Sequence, residues 1–461
     1  MINLSFTTGI FPEYCKKAIV RPLHKKGAID NITNYRPLTL LPFISKIFEQ
    51  CMYTRLFKHA VAHNIFSSQQ FGFIKGRSTQ DALISLTNNI YDCFNEKGYF
   101  CLNIFIDFQK CFDTIDHEIL LRKLALYGIS GTALSLIKNY LNGRYQAVKI
   151  GNTVSSYLPI TKGTFQGTKL GPLLCLYFLE DLTNISNVYK PILYADDTTL
   201  SFKFNNLGDV NRVCNDELEK LFQWTAANKM SINYGKDKTF YMLHTYRNIN
   251  DSEISLFMNN KKLDRLDCAK FLGVFIDTKL KFDHHINYIS SKISRSNAII
   301  YKLRQLKMPS TVLKQLYYNL IYSYLSYNVC TYAATYNTHI HRLLLLQKKA
   351  IRNVTYSNYL ANTDVLFFSN EVLKIHDIYK LNVGLYAFSN QNLFQRDHSH
   401  NTRNNDDLLP RRARIRAFDF SLFVSAPKIF NTIPSEIRMS GTRDAFKYRY
   451  KRHLLSSYAH D

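Results

Sequence analysis

The sequence predicts an α+β fold with a small antiparallel sheet at its centre and amphipathic helices packed around it. Three observations carry that reading. Residues 100–108, FCLNIFIDF, alternate, with Phe100, Leu102, Ile104 and Ile106 on one side and Cys101, Asn103, Phe105 and Asp107 on the other. A strand covered on both faces by apolar residues belongs in the middle of a sheet. Residues 191–202, PILYADDTTLSF, set β-forming residues on both sides of Ala195-Asp196-Asp197-Thr198 and read as a tight hairpin with two carboxylates at its tip. Long segments between and after these strands carry apolar residues at helical spacing. Taken alone, the Asp-Asp pair reads first as a solvated turn, since Asp is a common turn former. Two adjacent like charges are unfavourable unless a cation neutralises them.

The remaining elements follow in chain order. Residues 11–26 predict a short strand ending in a basic cluster, and 34–40, NYRPLTL, a loop entering an extended segment. A helix is predicted over 45–64 with Ser45 as its N-cap. The segment 70–79, QFGFIKGRST, combines two glycines, an aromatic pair, Lys75 and Arg77, and Ser78 or Thr79 is placed to cap a helix over 80–95. A glycine-rich basic stretch at a helix start is a phosphate-binding candidate, although the P-loop spacing is absent and, taken alone, the stretch reads first as a surface loop. Asp116 is the expected N-cap of a helix running to Tyr127 and stopped by Gly128. Residues 144–161 read as a hairpin turning at Gly151-Asn152.

Residues 161–172, TKGTFQGTKLGP, form a loop whose three glycines let the backbone approach a ligand, and an apolar helix is expected from Pro172 to Leu182. A helix over 209–227 is followed by a strand-like return over 231–243 bearing Asn233, Lys236 and Lys238. Residues 271–276, FLGVFI, read as a short strand, and Asp283 as the cap of the next helix. The pattern over 309–354 is helical and rich in Tyr, Leu, Lys and Arg. Residues 390–407 are polar and read as a linker, followed by a basic tail with Arg411, Arg412, Arg414 and Arg416.

Bulk properties narrow the function. A chain of 461 residues suggests two to four domains or subdomains. With 46% hydrophobic and 20% charged residues it is not a disordered composition. The 59 Lys and Arg against 35 Asp and Glu give a net charge of +24, which points to a polyanionic partner, nucleic acid above all. The nine cysteines form no CxxC pair, so neither a zinc site nor a disulfide framework is expected, and a reducing, intracellular setting fits. No apolar run is long enough to cross a membrane, and the N-terminus does not read as a signal peptide. His117, His284 and His285 read as surface or satisfied side chains, because no Cys or His stands at ligand spacing from them.

One chemistry accounts for a buried strand ending at Asp107, a hairpin presenting Asp196 and Asp197, and a Gly-rich, Lys-bearing loop between them. Carboxylates brought together make an all-oxygen site for two Mg²⁺ ions. Two such ions stabilise the attacking and leaving oxygens of a phosphoryl displacement. A basic surface for a nucleic-acid template completes the requirement.

With these residues in view, the chain resembles the reverse transcriptases of non-LTR, LINE-type retrotransposons, close to the jockey-like insect elements. The motifs that carry the resemblance are NLSFTTGIFPEYCKKAIVRPLHKKG, NYRPLTLLPFISKIFEQ, QFGFIKGRSTQDAL, FIDFQKCFDTIDHEILLRKL, KGTFQGTKLGPLLCLYFLEDL, YADDTTL, NKMSINYGKDKT and FLGVFIDTKLKFDHHI, covering residues 3 to about 290 in the family's order. RAFDFSLFVSAPKIFNTIPSEIR resembles the tail that follows these polymerases.

The resemblance implies a right-hand polymerase: fingers over 1–98, a palm over 99–282 with inserted fingers elements, a helical thumb over 283–360 and a C-terminal basic region over 361–461. It implies an RNA template, a DNA primer or target, dNTPs and two Mg²⁺ ions, and residence in the nucleus or cytoplasm. Asp107, Asp196 and Asp197 match the catalytic, metal-binding aspartates, and Phe108 would offer its carbonyl to the metal. Phe112 matches the aromatic residue set against the sugar 2′ position, with core packing as the alternative. Gln166 and Gly167 match the loop beside the incoming nucleotide. Arg36, Lys75 and Arg77 are fingers candidates for the triphosphate. Lys238 is the implied proton donor to pyrophosphate, with Lys236 competing. Phe271, Leu272 and Gly273 resemble the strand that grips the primer end. Asp113 and Asp116 stay outside the site.

Departures from the family pattern are Cys111 where Ala is usual, Thr164-Phe165 for Val-Pro, Thr168 for Ser and Glu180 for Asn. Full-length relatives carry an N-terminal endonuclease, and Met1 falls inside the first shared motif, so a truncated copy or partial gene is expected. The alternative function is a relic that binds nucleic acid without polymerising.

Overall fold

The computed structural model describes every residue except 26, 166, 250–252, 395–406 and 460–461, and the side chain of 33. Its organising element is the central strand. We label the elements that position the site β1 (Lys17–His24), β2 (Tyr35–Leu40), α1 (Phe43–Ala62), α2 (Thr79–Asn95), β3 (Phe100–Ile106), α3 (His117–Leu126), β4 (Arg144–Ile150), α4 (Leu170–Leu179), β5 (Lys190–Tyr194), β6 (Asp197–Phe204), α5 (Gly208–Ala227), β7 (Phe240–His244), β8 (Cys268–Phe271), β9 (Val274–Asp277), α6 (Asp283–Gln305), α7 (Asn337–Val354), α8 (Ile375–Ser389) and α9 (Arg443–Ser456).

All seven residues of β3 are buried. The strand lies third in a five-stranded sheet, flanked by β6 and β7, both antiparallel to it, with β5 beyond β6 and the short strand Asp264–Arg265 beyond β7. Its two faces divide the molecule. Phe100, Leu102, Ile104 and Ile106 enter one core, with α1, α3, α4 and α5. Cys101 and Phe105 enter the other, with α2 and the helices beyond residue 283. Each fully buried Phe, Leu or Ile here contributes about 2 kcal/mol of hydrophobic stabilisation, so the strand is fixed in register from both sides.

A second sheet orders β2, β1 and β4, with β1 and β4 parallel and the rest antiparallel. β4 turns back through Gly151 and Asn152 as expected. α2 begins with the predicted cap: Ser78 Oγ accepts from Asp81 N, and Asp81 returns a bond to Ser78 N at 2.8 Å, a capping box. Asp116 likewise caps α3 through Glu118 N and Ile119 N.

Several expectations are corrected. Ser45 does not cap α1, which starts two residues earlier after Pro42, and its hydroxyl is buried without a partner. The return over 231–243 is regular only in β7, because 231–239 folds as a loop against Asp107. Residues 271–276 are not one strand: Phe271 ends β8, Leu272-Gly273 form the hairpin turn and 274–276 lie in β9. Asp283 is the first residue of α6 and Phe282 precedes it at φ 59°. Of the linker read over 390–407, residues 391–393 form one helical turn and 395–406 lie outside the described residues.

The basic segment is not a free tail. Arg411 pairs with Asp92, and the Arg414 guanidinium bonds the carbonyls of Phe94 and Asn95, satisfying the open C-terminal carbonyls of α2. Asn95 closes the clamp by bonding Arg412 O and Arg414 N. Among the described residues, no helix is long and apolar enough to cross a membrane.

Candidate active site

Asp107 follows the last residue of β3, so the sheet that buries the strand also fixes the position of its carboxylate. The 233–239 loop grips it. Asn233 N donates to Asp107 O at 2.8 Å, Asn233 Nδ2 donates to Oδ2 at 2.6 Å, and Asp107 N reaches Thr239 Oγ1 at 3.3 Å. Thr239 Oγ1 donates to Asn233 O and Gly235 N donates to Asn233 Oδ1, which closes the loop on itself. Lys238 Nζ lies 3.2 Å from Asp107 Oδ2, so Lys238 rather than Lys236 is the lysine that reaches this carboxylate. At Phe108, bonds from Asn233 N to Asp107 O and from Gln109 N to Ser231 O flank an antiparallel bridge to Ile232. That pattern engages the neighbours and leaves the Phe108 carbonyl out of the ladder.

The β5–β6 hairpin pairs Tyr194 with Asp197, leaving Ala195 and Asp196 at the tip, with Ala195 at φ 57°. A non-glycine residue in that region needs support from its surroundings. The 69–72 loop supplies it. Leu193 exchanges backbone bonds with Gln69 and Phe71. The buried Gln70 side chain accepts from Ala195 N at 3.0 Å and from Gly72 N at 2.8 Å. Gly72 packs so closely that a Cβ there would lie 2.2 Å from Ala195 N. The tertiary contact that gives Gln70 and Gly72 their role leaves no local signature beyond a glycine two residues after a glutamine.

Burial, and then the charge of Asp107, pushes the Asp196 carboxyl above the usual range; its own backbone hydrogen bond, Arg36 and Lys238 oppose the shift. Asp197 is pushed up to about 6 by burial, then by the charges of Asp196 and Asp107. Its carboxylate nevertheless faces solvent at the cleft mouth, so the effect on stability is screened. A carboxyl whose folded pKa is raised favours the fold while protonated, and that contribution fades as pH rises from about 4 through about 6. Asp197→Asn is therefore expected to raise the Tm of the metal-free protein at pH 7 and to leave it unchanged at pH 4. Equal shifts at both pH values would contradict this electrostatic account.

A cavity of about 150 Å³ opens between Asp107, Asp197, Asp237, Lys238, Lys270 and Phe271. Among the described residues no three His, Cys, Asp or Glu side chains stand at ready-made metal-ligand spacing. The donor set still fits a hard divalent cation: the ligands are oxygens, the carboxyl pKa values are raised by burial and then by neighbouring like charge, and Lys238 supplies positive charge at Asp107.

The glycine loop is pinned beside this cleft. Gly163 N donates to Ile115 O and Thr164 N to Phe112 O, each at 2.7 Å, and His117 Nε2 bonds Gly163 O at 2.8 Å. That bond satisfies the buried His117 in place of any ligand role. A Cβ at Gly163, φ 81°, would meet Asp113 O at 2.6 Å, which gives the 113 segment a packing role. Gly167 sits at φ 90° against Leu38 and Thr39 of β2, while Gln166 lies outside the described residues.

The half-buried Phe112 ring meets the exposed Phe73 edge-on, with centroids 6.4 Å apart. Arg36 is exposed and close enough to Asp196 to lower its pKa, and Lys75 is exposed on the 70–77 loop. Arg77 corrects the expectation for it: its Nη1 bonds the carbonyls of Ser67 and Gln70 and its charge faces Glu180, so it braces the loop that holds the hairpin. Glu180, the departure from the usual Asn, accepts from Ser67 N at 2.6 Å and is pushed up to about 7 by burial. Phe271, Leu272 and Gly273 carry the β8–β9 turn, with Leu272 at φ 43° and Gly273 at φ 88°.

Residues 23–276, more than half of the chain, match the family model described as reverse transcriptase (RNA-dependent DNA polymerase), and the chain belongs to that family. Reverse transcriptases as a class use divalent metal ions. The domain is of the non-LTR, LINE type, as its similarity to curated relatives shows. It is 27% identical over 363 residues to the probable RNA-directed DNA polymerase from transposon BS of Drosophila melanogaster, covering 77% of this chain and 40% of that protein. It is 27% identical over 367 residues to the RNA-directed DNA polymerase from mobile element jockey of the same species, covering 77% and 39%. The chain spans about two fifths of the length of these relatives. A similarity to a telomerase structure from Candida albicans in complex with a fragment of telomeric RNA has 11% identity and a TM-score of 0.38, over 82% of this chain and 64% of that one.

Proposed function

We propose that the protein is an RNA-directed DNA polymerase that extends a DNA primer on an RNA template with dNTPs. The observation that carries this reading is the meeting of Asp107, at the end of the central strand, with Asp196 and Asp197 on the adjoining hairpin, in mutual electrostatic range. In this reading residues 1–98 act as fingers, 99–282 as palm, 283–360 as thumb, and 361–461 as a C-terminal region that braces α2 of the fingers through Arg411 and Arg414.

Asp107, Asp196 and Asp197 would hold two Mg²⁺ ions, with the Phe108 carbonyl as a further oxygen ligand. When bound, the ions would neutralise the charge that develops on the attacking and leaving oxygens. The residues of the chain do the rest. Lys238 sits where it can pass its proton to the departing pyrophosphate. Arg36 and Lys75 offer charge to the triphosphate from the fingers side. Phe112, stiffened by Phe73, bars a ribose 2′-hydroxyl. The basic balance of +24 supports a salt-sensitive grip on the template backbone.

An oligo(dT)-primed RNA template with dTTP and Mg²⁺ tests the reading: extension is expected, and tight RNA binding without extension would favour a binding-only relic. Phe112→Ala is expected to raise UTP use relative to dTTP by about a hundredfold, since a lost steric block is worth about 3 kcal/mol. Unchanged discrimination would return Phe112 to a packing role.

A further inference from the structure

Three departures from regular backbone converge on one phenol. The helix after Pro309 runs as Ser310–Tyr317, passes through a π-helical turn at Tyr318–Tyr322, resumes over Ser323–Ser326 and breaks at Tyr327-Asn328, with Asn328 at φ 53°. π-turns inside helices are uncommon and recur at functional sites. The break swings Tyr327 out of the helix towards the β8–β9 turn. There its hydroxyl donates to Leu272 O at 2.8 Å. Its ring closes over Gly273, where a Cβ would lie 3.0 Å from Cε1. Thr79 Oγ1, at the start of α2, is 3.5 Å from the same hydroxyl.

The turn is itself strained. A two-residue hairpin with φ above zero at both central positions favours Asn-Gly or Gly-Gly, whereas this one carries Leu272-Gly273. A leucine in the left-handed region persists only where its surroundings fix it. Tyr327 bonds the Leu272 carbonyl while the Leu272 side chain packs against the core, and Tyr327 also lies near Tyr194, two residues before Asp196, contributing to the raised pKa of that tyrosine.

We propose that Tyr327 is a positioning residue that ties the thumb to the primer-grip turn and so sets where the primer end lies relative to Asp196 and Asp197; this rests on the polymerase reading above. The tether makes the strained turn contingent on the seating of the broken helix. A thumb that lifts takes the Leu272 carbonyl's partner with it.

Tyr327→Phe removes only the hydroxyl, and Tyr356→Phe is the control, since it removes a thumb phenol bonded to Met308 O at 2.6 Å away from the turn. Amide exchange across residues 268–277 is read first, in the full chain. Tyr327→Phe is expected to speed it about tenfold, the scale of one lost hydrogen bond, and Tyr356→Phe to leave it unchanged. Single-turnover extension of a pre-bound primer is read second. Tyr327→Phe is expected to slow it about tenfold with the KM for dTTP and the active fraction unchanged, a split that general destabilisation would not produce. Unaltered exchange overturns the tether, and faster exchange with unaltered extension overturns its role in positioning. A wild type that extends nothing removes the polymerase reading instead, and the exchange result still decides the tether.

Discussion

Gly72→Ala is expected to destabilise the protein by about 3 kcal/mol or more and to cut any polymerase activity about a hundredfold. The reason is local. The added Cβ would lie 2.2 Å from Ala195 N, 2.9 Å from Tyr194 C and 3.0 Å from Ala195 Cα. These are backbone atoms of a hairpin tip, so no side-chain rotation relieves the clash. Either the 69–72 loop or the tip must move, and either movement breaks the bond from Ala195 N to Gln70 Oε1. Ala195 then loses the support for its positive φ, and Asp196, the next residue, loses its fixed position. Gly76→Ala is the matched control. Gly76 has φ 87° but open space around it, so that change costs about 1 kcal/mol of backbone strain and leaves the tip undisturbed. Tm and extension rate measured on both variants check the contrast; equal effects would contradict the clash at residue 72.

Asp107→Asn is expected to abolish extension, by at least about a thousandfold or about 4 kcal/mol in transition-state stabilisation, with little loss of fold. The substitution keeps the shape and removes the charge. The main-chain bonds from Asn233 N and to Thr239 Oγ1 are untouched. The side-chain amide can still present an oxygen to Asn233 Nδ2, which sits 2.6 Å from Oδ2. What disappears is the carboxylate that faces Lys238 and crowds Asp196 and Asp197. Relieved of that neighbour, Asp197 should titrate below its value of about 6. Activity at pH 7.5 and the pH dependence of Tm together check the account. A variant that retains extension would remove Asp107 from the site.

The parts legible in the sequence are those where one local pattern had one physical solution. The β3 alternation could be satisfied only by burial on both faces, and both cores do use it. Ser78 with Asp81, and Asp116 with the apolar run after it, were readable as caps because capping is a contact within three residues. The Asp196 hairpin was legible as a turn, but only the other aspartate and the glycine loop gave it chemistry.

Failures arose where long-range contacts set the local conformation. Ser45 carries the chemistry of a cap, yet α1 starts at Phe43 and buries its hydroxyl. The 231–239 segment reads as part of a strand-like return, but its backbone bonds hold the Asp107 segment and only β7 forms a ladder. Arg77 looked free to bind phosphate until the carbonyls of Ser67 and Gln70 took its guanidinium. The arginines of 411–416 read only as a basic tail, although two of them close the end of a helix more than 300 positions away in sequence. Leu272 carried no sign that it would adopt a left-handed conformation, because the contacts around it, the Tyr327 bond 55 positions later among them, are long-range.

The central claim is that three carboxylates on two neighbouring strands make one polymerising centre. Extension of an oligo(dT) primer on poly(rA) with dTTP and Mg²⁺, run side by side for the wild type and Asp196→Ala at matched folded concentration, tests it most directly. The account predicts a ladder of added nucleotides from the wild type and none from the variant, with RNA binding equal in both. Equal extension by the two proteins, or none by either, would contradict it.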